Sequence, residues 1–311
     1  MRFWFLLKKR LRNFARLNST IKHFFKVRVL IRNGASIYIH PVVKFKVILR
    51  LFSAPYFALD TICLPGERGF EKKLNNLVKV LLSWDNEHGS RCFNIIGRRI
   101  SVPKFKNADS VLLNDLREVF FENVYGRHFP TGRPIRDRDV VLDLGANVGA
   151  FSIWACSQGT GIRCFAVEPH AAIRSELQRN LEINNLIGQV VPIEKCIGAT
   201  NGTLRLEFNE DVFTMTRISS STKAIDVPGI TIDSLVEELR LDRLDFIKFD
   251  IEGAERIAIS GASSTLKKFK PKLAISGYHL LDDVYFLINQ ILNIQPQYTI
   301  VVGSNMHIYA Y

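Results

Sequence analysis

The stretch VVLDLGANVGAF, residues 140–151, decides how this chain is read. Val140, Val141 and Leu142 form a short apolar run of buried-strand type, Asp143 closes it, and Gly145 and Gly149 make a turn. Val148, Phe151 and Trp154 then open an apolar set at helical spacing. A strand that runs through a glycine turn into a helix is the corner at which α/β folds cradle a cofactor. A dinucleotide would need G-x-G-x-x-G, so that backbone amides can approach a pyrophosphate. Here three residues separate two glycines, and Asp143 would set a carboxylate beside that anion. Like charges in a partly buried corner repel by roughly several kcal/mol, so the corner suits a cation. S-adenosylmethionine, with a sulfonium and an α-ammonium and no phosphate, meets that requirement. Asp143 is assigned to the ammonium end, while Gly145 and Gly149 let the backbone come close to the ligand.

Downstream the pattern alternates. Strands are expected at 163–168, 189–194, 245–250 and 272–276, with helices at 148–158, 170–184, 254–266 and 281–293. Residues 203–208 alternate as an inserted strand, Asp233 is expected to cap a short helix, and 298–303 with 306–311 read as a terminal hairpin. The fold class is therefore α/β, a doubly wound and mostly parallel sheet. Glu168 ends the second strand, where a carboxylate accepts both hydroxyls of a ribose. An NAD site uses an acid in the same way, so Glu168 indicates a nucleoside without choosing between cofactors. Cys196 stands at the end of the third strand, where an adenine ring would be flanked.

Upstream the character of the chain changes. The first fifty residues carry thirteen Lys and Arg and no acid; the first acid is Asp60. The net charge of +12 thus belongs to the N-terminal sixth, and the remainder is close to neutral and not a polyanion binder. Trp4, Leu7, Leu11, Phe14, Ile21 and Phe25 recur at helical steps. Such a basic amphipathic helix either lies on an anionic membrane surface or packs its stripe on the main domain. Residues 27–39 alternate around Asn33-Gly34 as a hairpin, 70–82 read as a helix, 92–102 as a second hairpin and 113–125 as a helix. Pro130, Gly132 and Pro134 punctuate the chain before the opening strand. The expected division is a basic amphipathic segment at 1–60, a lead-in region at 61–130 and the cofactor domain at 131–311.

An apolar fraction of 47% supports a real core. No run approaches the ~20 apolar residues that span a bilayer. The five cysteines form no C-x-x-C pair and fit free thiols in a reducing compartment. The chain is expected in the cytoplasm, with peripheral contact to an anionic membrane through residues 1–30.

The runs LDLGANVGAFS (142–152), AVEPHAAIRSELQRNLEINN (166–185) and DFIKFDIEGAE (245–255) resemble the FkbM-type family of S-adenosylmethionine-dependent methyltransferases. D-x-G-A-N-x-G, E-P-x(10)-N and K-x-D-x-E-G-A-E, in this order, are specific together. LAISGYH (273–279) is similar to the family's fifth strand, and DLREVFFENVYG (115–126) to a lead-in helix. The resemblance covers roughly residues 120–311. It implies a seven-stranded, Rossmann-like methyltransferase sheet and most often methylation of a hydroxyl on a sugar or natural product; the basic N-terminal extension, with residues 1–90 as a whole, lies outside it. Asn147, the asparagine of the first pattern, joins the cofactor set.

Open α/β sheets bind ligands outside the carboxyl ends of their strands. Methyl transfer requires the acceptor oxygen to be aligned behind the methyl group and relieved of its proton, and a general base contributes about 10²–10⁴-fold. Asp250, closing the fourth strand, is the first candidate for either task; Glu252 and His279 follow. First-turn charges on the next helix are the bland alternative. Paired carboxylates can hold a divalent metal, but no His lies nearby in sequence as a third ligand, and no metal is expected. The expected partner is a small-molecule or glycan acceptor. Amine methylation of nucleic acid goes with an Asn/Asp-Pro-Pro-aromatic turn, where this chain has Asp250-Ile-Glu-Gly, so nucleic acid is not the expected partner; the basic arm keeps an RNA methyltransferase as the alternative. A binding protein of the same fold without turnover is the other class of reading.

Overall fold

A computed structural model describes residues 36–39, 83–85, 92–101, 108–208, 216–218, 221, 223–280, 282–303 and 305–311. Its strands are, in chain order, β1 (Ile37–Ile39), β2 (Ser83–Asp85), β3 (Cys92–Ile95), β4 (Arg98–Ser101), β5 (Val140–Leu144), β6 (Arg163–Val167), β7 (Val190–Ile193) and β8 (Cys196–Ile197). There follow β9 (Gly202–Phe208), β10 (Thr216–Ile218), β11 (Ile225–Ile230), β12 (Phe246–Phe249), β13 (Lys272–Ser276), β14 (Ile300–Val302) and β15 (His307–Ala310). The helices are α1 (Ala108–Leu116), which runs on as a π-helical turn over Arg117–Phe121, α2 (Ala150–Cys156), α3 (Ala171–Ile183), α4 (Ile232–Glu238), α5 (Glu255–Ser260), α6 (Ser263–Phe269) and α7 (Asp283–Ile294).

Every residue of β5 is buried, as in a strand covered on both faces. β5 pairs in parallel with β6 on one side and β12 on the other, and the main sheet runs β1-β14-β15-β13-β12-β5-β6-β7. The chain starts at β5, winds outward to β7, then returns to β12. The strand order therefore reverses between β5 and β12, the place where such sheets bind ligands. Alternation along each strand divides the core in two. Leu142, Leu144, Ile247 and Phe249 pack with α4, α5 and α7. Val141, Phe246, Ala274 and Tyr309 pack with α1, α2, α3 and the β3/β4 hairpin.

The mostly parallel α/β sheet agrees with the sequence, but it has eight strands where seven were expected. The extra strand is β1, which adds in parallel to the edge of β14 (Ile37 opposite Ile300). Residues 37–39 were expected in a local hairpin with 27–32; their observed partner is β14, and the other arm lies outside the described residues. So do the amphipathic segment 1–30 and the helix expected at 70–82. The 92–102 hairpin forms, turned by Ile96 and Gly97, both at positive φ (49° and 74°). That is the twist a two-residue hairpin needs.

Three expectations are corrected. The helix at 113–125 begins at Ala108 and ends in the π turn. The helix at 254–266 is two helices, α5 and α6, interrupted at Gly261 and Ala262. Asp233 does not cap its own helix: Thr231 accepts the Ser234 N–H there, and Asp233 accepts the Ser264 and Thr265 N–H groups at the start of α6. The four described cysteines are buried, and Cys156, Cys164 and Cys196 are free thiols.

Asn180 of α3 holds the lead-in hairpin to the sheet. It accepts the Ser101 N–H at 2.7 Å and donates to the Val148 carbonyl at 2.8 Å, joining β4 to the turn after β5. Phe246 is fully buried against Phe129 and Phe151, with ring centroids 5.8 and 5.9 Å apart. Phe246→Ala is expected to lower stability by about 3–5 kcal/mol. The measurement is a urea midpoint at constant slope, and a loss below about 1 kcal/mol would place Phe246 outside the central packing.

Candidate active site

The turn after β5 is built against the end of β12. Gly145 has φ +76°, and a Cβ on it would lie 2.0 Å from the Asp250 carbonyl oxygen, so no other residue fits. Asp143 and Lys248 face each other in register on β5 and β12. Lys248 Nζ is 3.0 Å from Asp143 Oδ1 and donates to the Gly145 carbonyl at 2.6 Å, and the Ser152 hydroxyl donates to Asp143 Oδ2 at 2.6 Å. Burial would lower the Lys248 ammonium, but Asp143 and Asp250 outweigh it and hold it above its ordinary value.

Asp143 is fully buried. Its carboxylate, expected at the ammonium end of a ligand, is engaged by Lys248 and Ser152. The charge argument against a phosphate loses its first support with it. Two other groups replace that support. Asn147, at φ +50°, donates its N–H to Glu168 Oε2 at 3.0 Å, and its own Oδ1 is buried with no hydrogen-bond partner among the described residues. Glu168 Oε1 accepts the His170 N–H at 2.8 Å. Burial pushes the Glu168 carboxyl up to about 7, against the lowering effect of these two backbone bonds. An amide oxygen and a carboxylate are acceptors, so this corner calls for ligand donors, hydroxyl or ammonium, in place of phosphate oxygens.

Gly149 begins α2 at φ +90°, where a Cβ would meet Leu177 at 2.5 Å; it serves close packing of α3 as much as ligand approach. Cys196 is 8% exposed and packs with Leu206 and Val227 in a minor core. Burial pushes its thiol up to about 12, with Glu168 adding to the effect. Its expected place beside an adenine is thus a packed one.

A second group gathers at the ends of β12 and β13. Asp250 Oδ2 accepts the Tyr125 hydroxyl at 2.9 Å and Oδ1 the Tyr278 hydroxyl at 3.3 Å. Burial alone would raise the Asp250 carboxyl, but Lys248, His279, His307 and the Tyr125 hydrogen bond hold it below the usual carboxylate value. His279 reaches three acids: Nε2 lies 3.5 Å from Glu252 and 3.9 Å from Asp250, and Nδ1 lies 3.3 Å from Glu255. Burial would lower its imidazole, yet Glu252 and Glu255 hold it well above its ordinary value. A ring so held gives up its proton reluctantly, which suits donation to the acceptor better than removal of its proton. Burial raises Glu252, which sits at φ +54° in the turn before α5.

A family model, the Methyltransferase FkbM domain, matches residues 143–298, half of the chain. The chain belongs to the FkbM methyltransferase family. Hexuronic acid methyltransferase AglP of Haloferax volcanii is 26% identical over 129 residues, which cover 42% of this chain and 52% of that protein. The 31-O-demethyl-FK506 methyltransferase FkbM of Streptomyces tacrolimicus is 22% identical over 178 residues, covering 47% of this chain and 66% of that protein. The matches therefore span about half to two thirds of these curated relatives. A crystal structure of methyltransferase FkbM from Methylobacillus flagellatus is 23% identical, with 78% of this chain and 59% of that one covered at a TM-score of 0.47.

The FkbM match contains both groups of residues but leaves part of the surroundings outside. Tyr125, which donates to Asp250, precedes it, as do Asp115 and Glu118 of the lead-in helix. Burial pushes Glu118 up to about 7, with Asp250 nearby adding to the effect, and raises Asp115 well above the carboxylate range. His307 follows the match; its ring lies 5.5 Å from those of Tyr125 and Tyr278, and burial lowers it to about 4. Sequence reading named none of these, nor Lys248, as a site residue. The signals were there: Lys248 opens the quoted K-x-D-x-E-G-A-E pattern, and the 115–126 run was quoted for its likeness and not for its acids or its tyrosine.

Lys248→Met should leave Asp143 buried without a counter-charge, at a cost of about 3–5 kcal/mol. Adding Asp143→Asn in that background is expected to recover most of the loss. Equal and additive effects of the two changes in urea denaturation would deny the coupling.

Proposed function

We propose that the chain transfers a methyl group from S-adenosylmethionine to a hydroxyl of a sugar or other oxygenated small molecule. Family membership supports the reaction class. The observation that carries the cofactor is the acceptor-lined corner, with the orphaned Asn147 Oδ1 beside Glu168 at the point where strand order reverses. The choice of acceptor follows the two relatives, which are named for a hexuronic acid and for 31-O-demethyl-FK506. On this reading the seven strands β5, β6, β7 and β12 to β15 form the methyltransferase sheet, residues 131–311 the catalytic domain, and 61–130 a lead-in region that lends Tyr125.

Glu168 would accept the ribose hydroxyls, and Asn147 Oδ1 a further donor of the same ligand. S-adenosylmethionine, when bound, supplies a methyl group already activated by its sulfonium. The chain's own task is then to orient the acceptor and take its proton. Asp250, held ionised between two tyrosine hydroxyls, suits orientation, since a carboxylate of lowered pKa is a poor base. Glu252, with its carboxyl raised by burial, is better matched to receive the proton.

Two outcomes test the reading. S-adenosylmethionine at about 100 times its Kd should add roughly 2.7 kcal/mol to stability in thermal unfolding. At a fixed ligand concentration the effect should grow from about pH 6 to about pH 8, as Glu168, at about 7, ionises and becomes a full acceptor. No stabilisation by this ligand, or an equal one by NADH, would end the proposal. Glu252→Gln should keep cofactor affinity within about twofold and lower turnover about 10²–10⁴-fold; wild-type turnover would remove Glu252 from proton transfer.

A further inference from the structure

Glu255, the first residue of α5, is fully buried at the second group of residues. Its Oε1 accepts the Ile251 N–H at 2.9 Å and lies 3.3 Å from His279 Nδ1. Its Oε2 is buried with no hydrogen-bond partner among the described residues. Such a carboxylate oxygen is costly to leave unpaired and points to a missing partner. Asp250, Glu255 and His279 each offer one donor atom, and these three atoms lie within 4.8 Å of one another. The sheet brings them together: Asp250 follows β12, Glu255 opens the next helix, and His279 follows β13.

The local charge is also lopsided. Burial and the Asp250 charge raise the carboxyl groups of Asp115, Glu118 and Glu252, and Glu118 and Glu252 raise Asp115 further. Against these acids stand His279, Lys248 and Arg117; Lys248 is already engaged by Asp143, and Arg117, which counters Glu118, is paired with Glu122. Arg256, the next residue along α5, is committed to Asp282 and Asp283 at 2.5 and 2.6 Å.

We propose that Asp250, Glu255 and His279 form a binding site for one divalent cation of the Mn²⁺ or Mg²⁺ kind. Two carboxylates and one imidazole make a mixed oxygen and nitrogen set, which suits Mn²⁺ in particular. An imidazole ligates in its neutral form, so the cation takes the place of the His279 proton, which leaves to solvent. Spacing along the chain offered the carboxylates but no third ligand, because His279 lies 24 residues beyond Glu255 and only the β12/β13 pairing brings it near. The inference deepens the methyl-transfer reading, since a cation at these strand ends would draw an acceptor hydroxyl toward Glu252; its binding does not depend on that reading.

The test uses the full chain, stripped by a chelator and titrated with MnCl₂ while free Mn²⁺ is followed by electron paramagnetic resonance. S-adenosylmethionine affinity is measured by calorimetry on the same samples. The expected result is saturable uptake of about one Mn²⁺ per chain, weakened roughly tenfold or more in Glu255→Gln and in His279→Gln. Far-UV circular dichroism checks that each variant folds, and if Glu255→Gln does not, His279→Gln and Asp250→Asn carry the comparison. Absence of saturable uptake by the wild type overturns the site, as does uptake unchanged in the folded variants; the cluster is then an imidazolium held among carboxylates. Mn²⁺ uptake without cofactor binding leaves the cation site standing and removes the methyl-transfer reading, and the converse result does the reverse.

Discussion

The ion pair of Asp143 and Lys248 is the constraint on which the rest of the site depends. It closes the gap between β5 and β12, the two strands on either side of the reversal in strand order, and it does so with both residues nearly or fully buried. Lys248 also holds the Gly145 carbonyl and lies 5.8 Å from the Tyr125 and Phe151 ring centres. A buried pair of this kind is no better for stability than well-packed apolar side chains, and breaking one half is far worse than removing both. Its value here is positional. It sets the turn that presents Asn147 and, one residue pair further along the same strands, the start of the Asp250 segment.

Around that pair the environment divides the titratable groups. Lys248, His279 and the Tyr125 hydrogen bond hold Asp250 low; burial raises Glu252; neighbouring carboxylates raise His279; burial lowers His307 to about 4. Residues of one chemical type thus acquire different roles from their surroundings, which is how active sites assign acid and base at one pH. The tyrosines contribute by the same logic. Their hydroxyls donate to Asp250 and stay protonated, since burial and that carboxylate push both phenols well above their ordinary value.

How much was legible in the sequence follows from what each feature depends on. Strands such as 140–144 and 272–276 announce themselves as short apolar runs, because a parallel sheet buries both faces of a strand. The ends of those strands carry Glu168, Asp250, Glu252 and His279, so the outline of the site was readable too. What was not readable is pairing. Nothing near Asp143 in the chain indicates a lysine 105 residues later in register with it, so a neutralised corner was read as a negative one. The same blindness hid β1 on the edge of β14, Tyr125 on Asp250, and the meeting of His279 with Glu255. The break between α5 and α6 was missed for a different reason, since the apolar spacing continues across it.

The position of β15 has a practical consequence. It lies antiparallel between β13 and β14, with His307 and Tyr309 turned toward the side of the sheet that carries Tyr125 and Phe129. A recombinant fragment trimmed to residues 143–298 would lack this strand. β13 would then present a bare row of amides and carbonyls along a flat apolar edge, an open template for pairing with a second molecule. Self-association of such a truncated product would reflect where it was cut, and would carry no information about the assembly state of the whole chain.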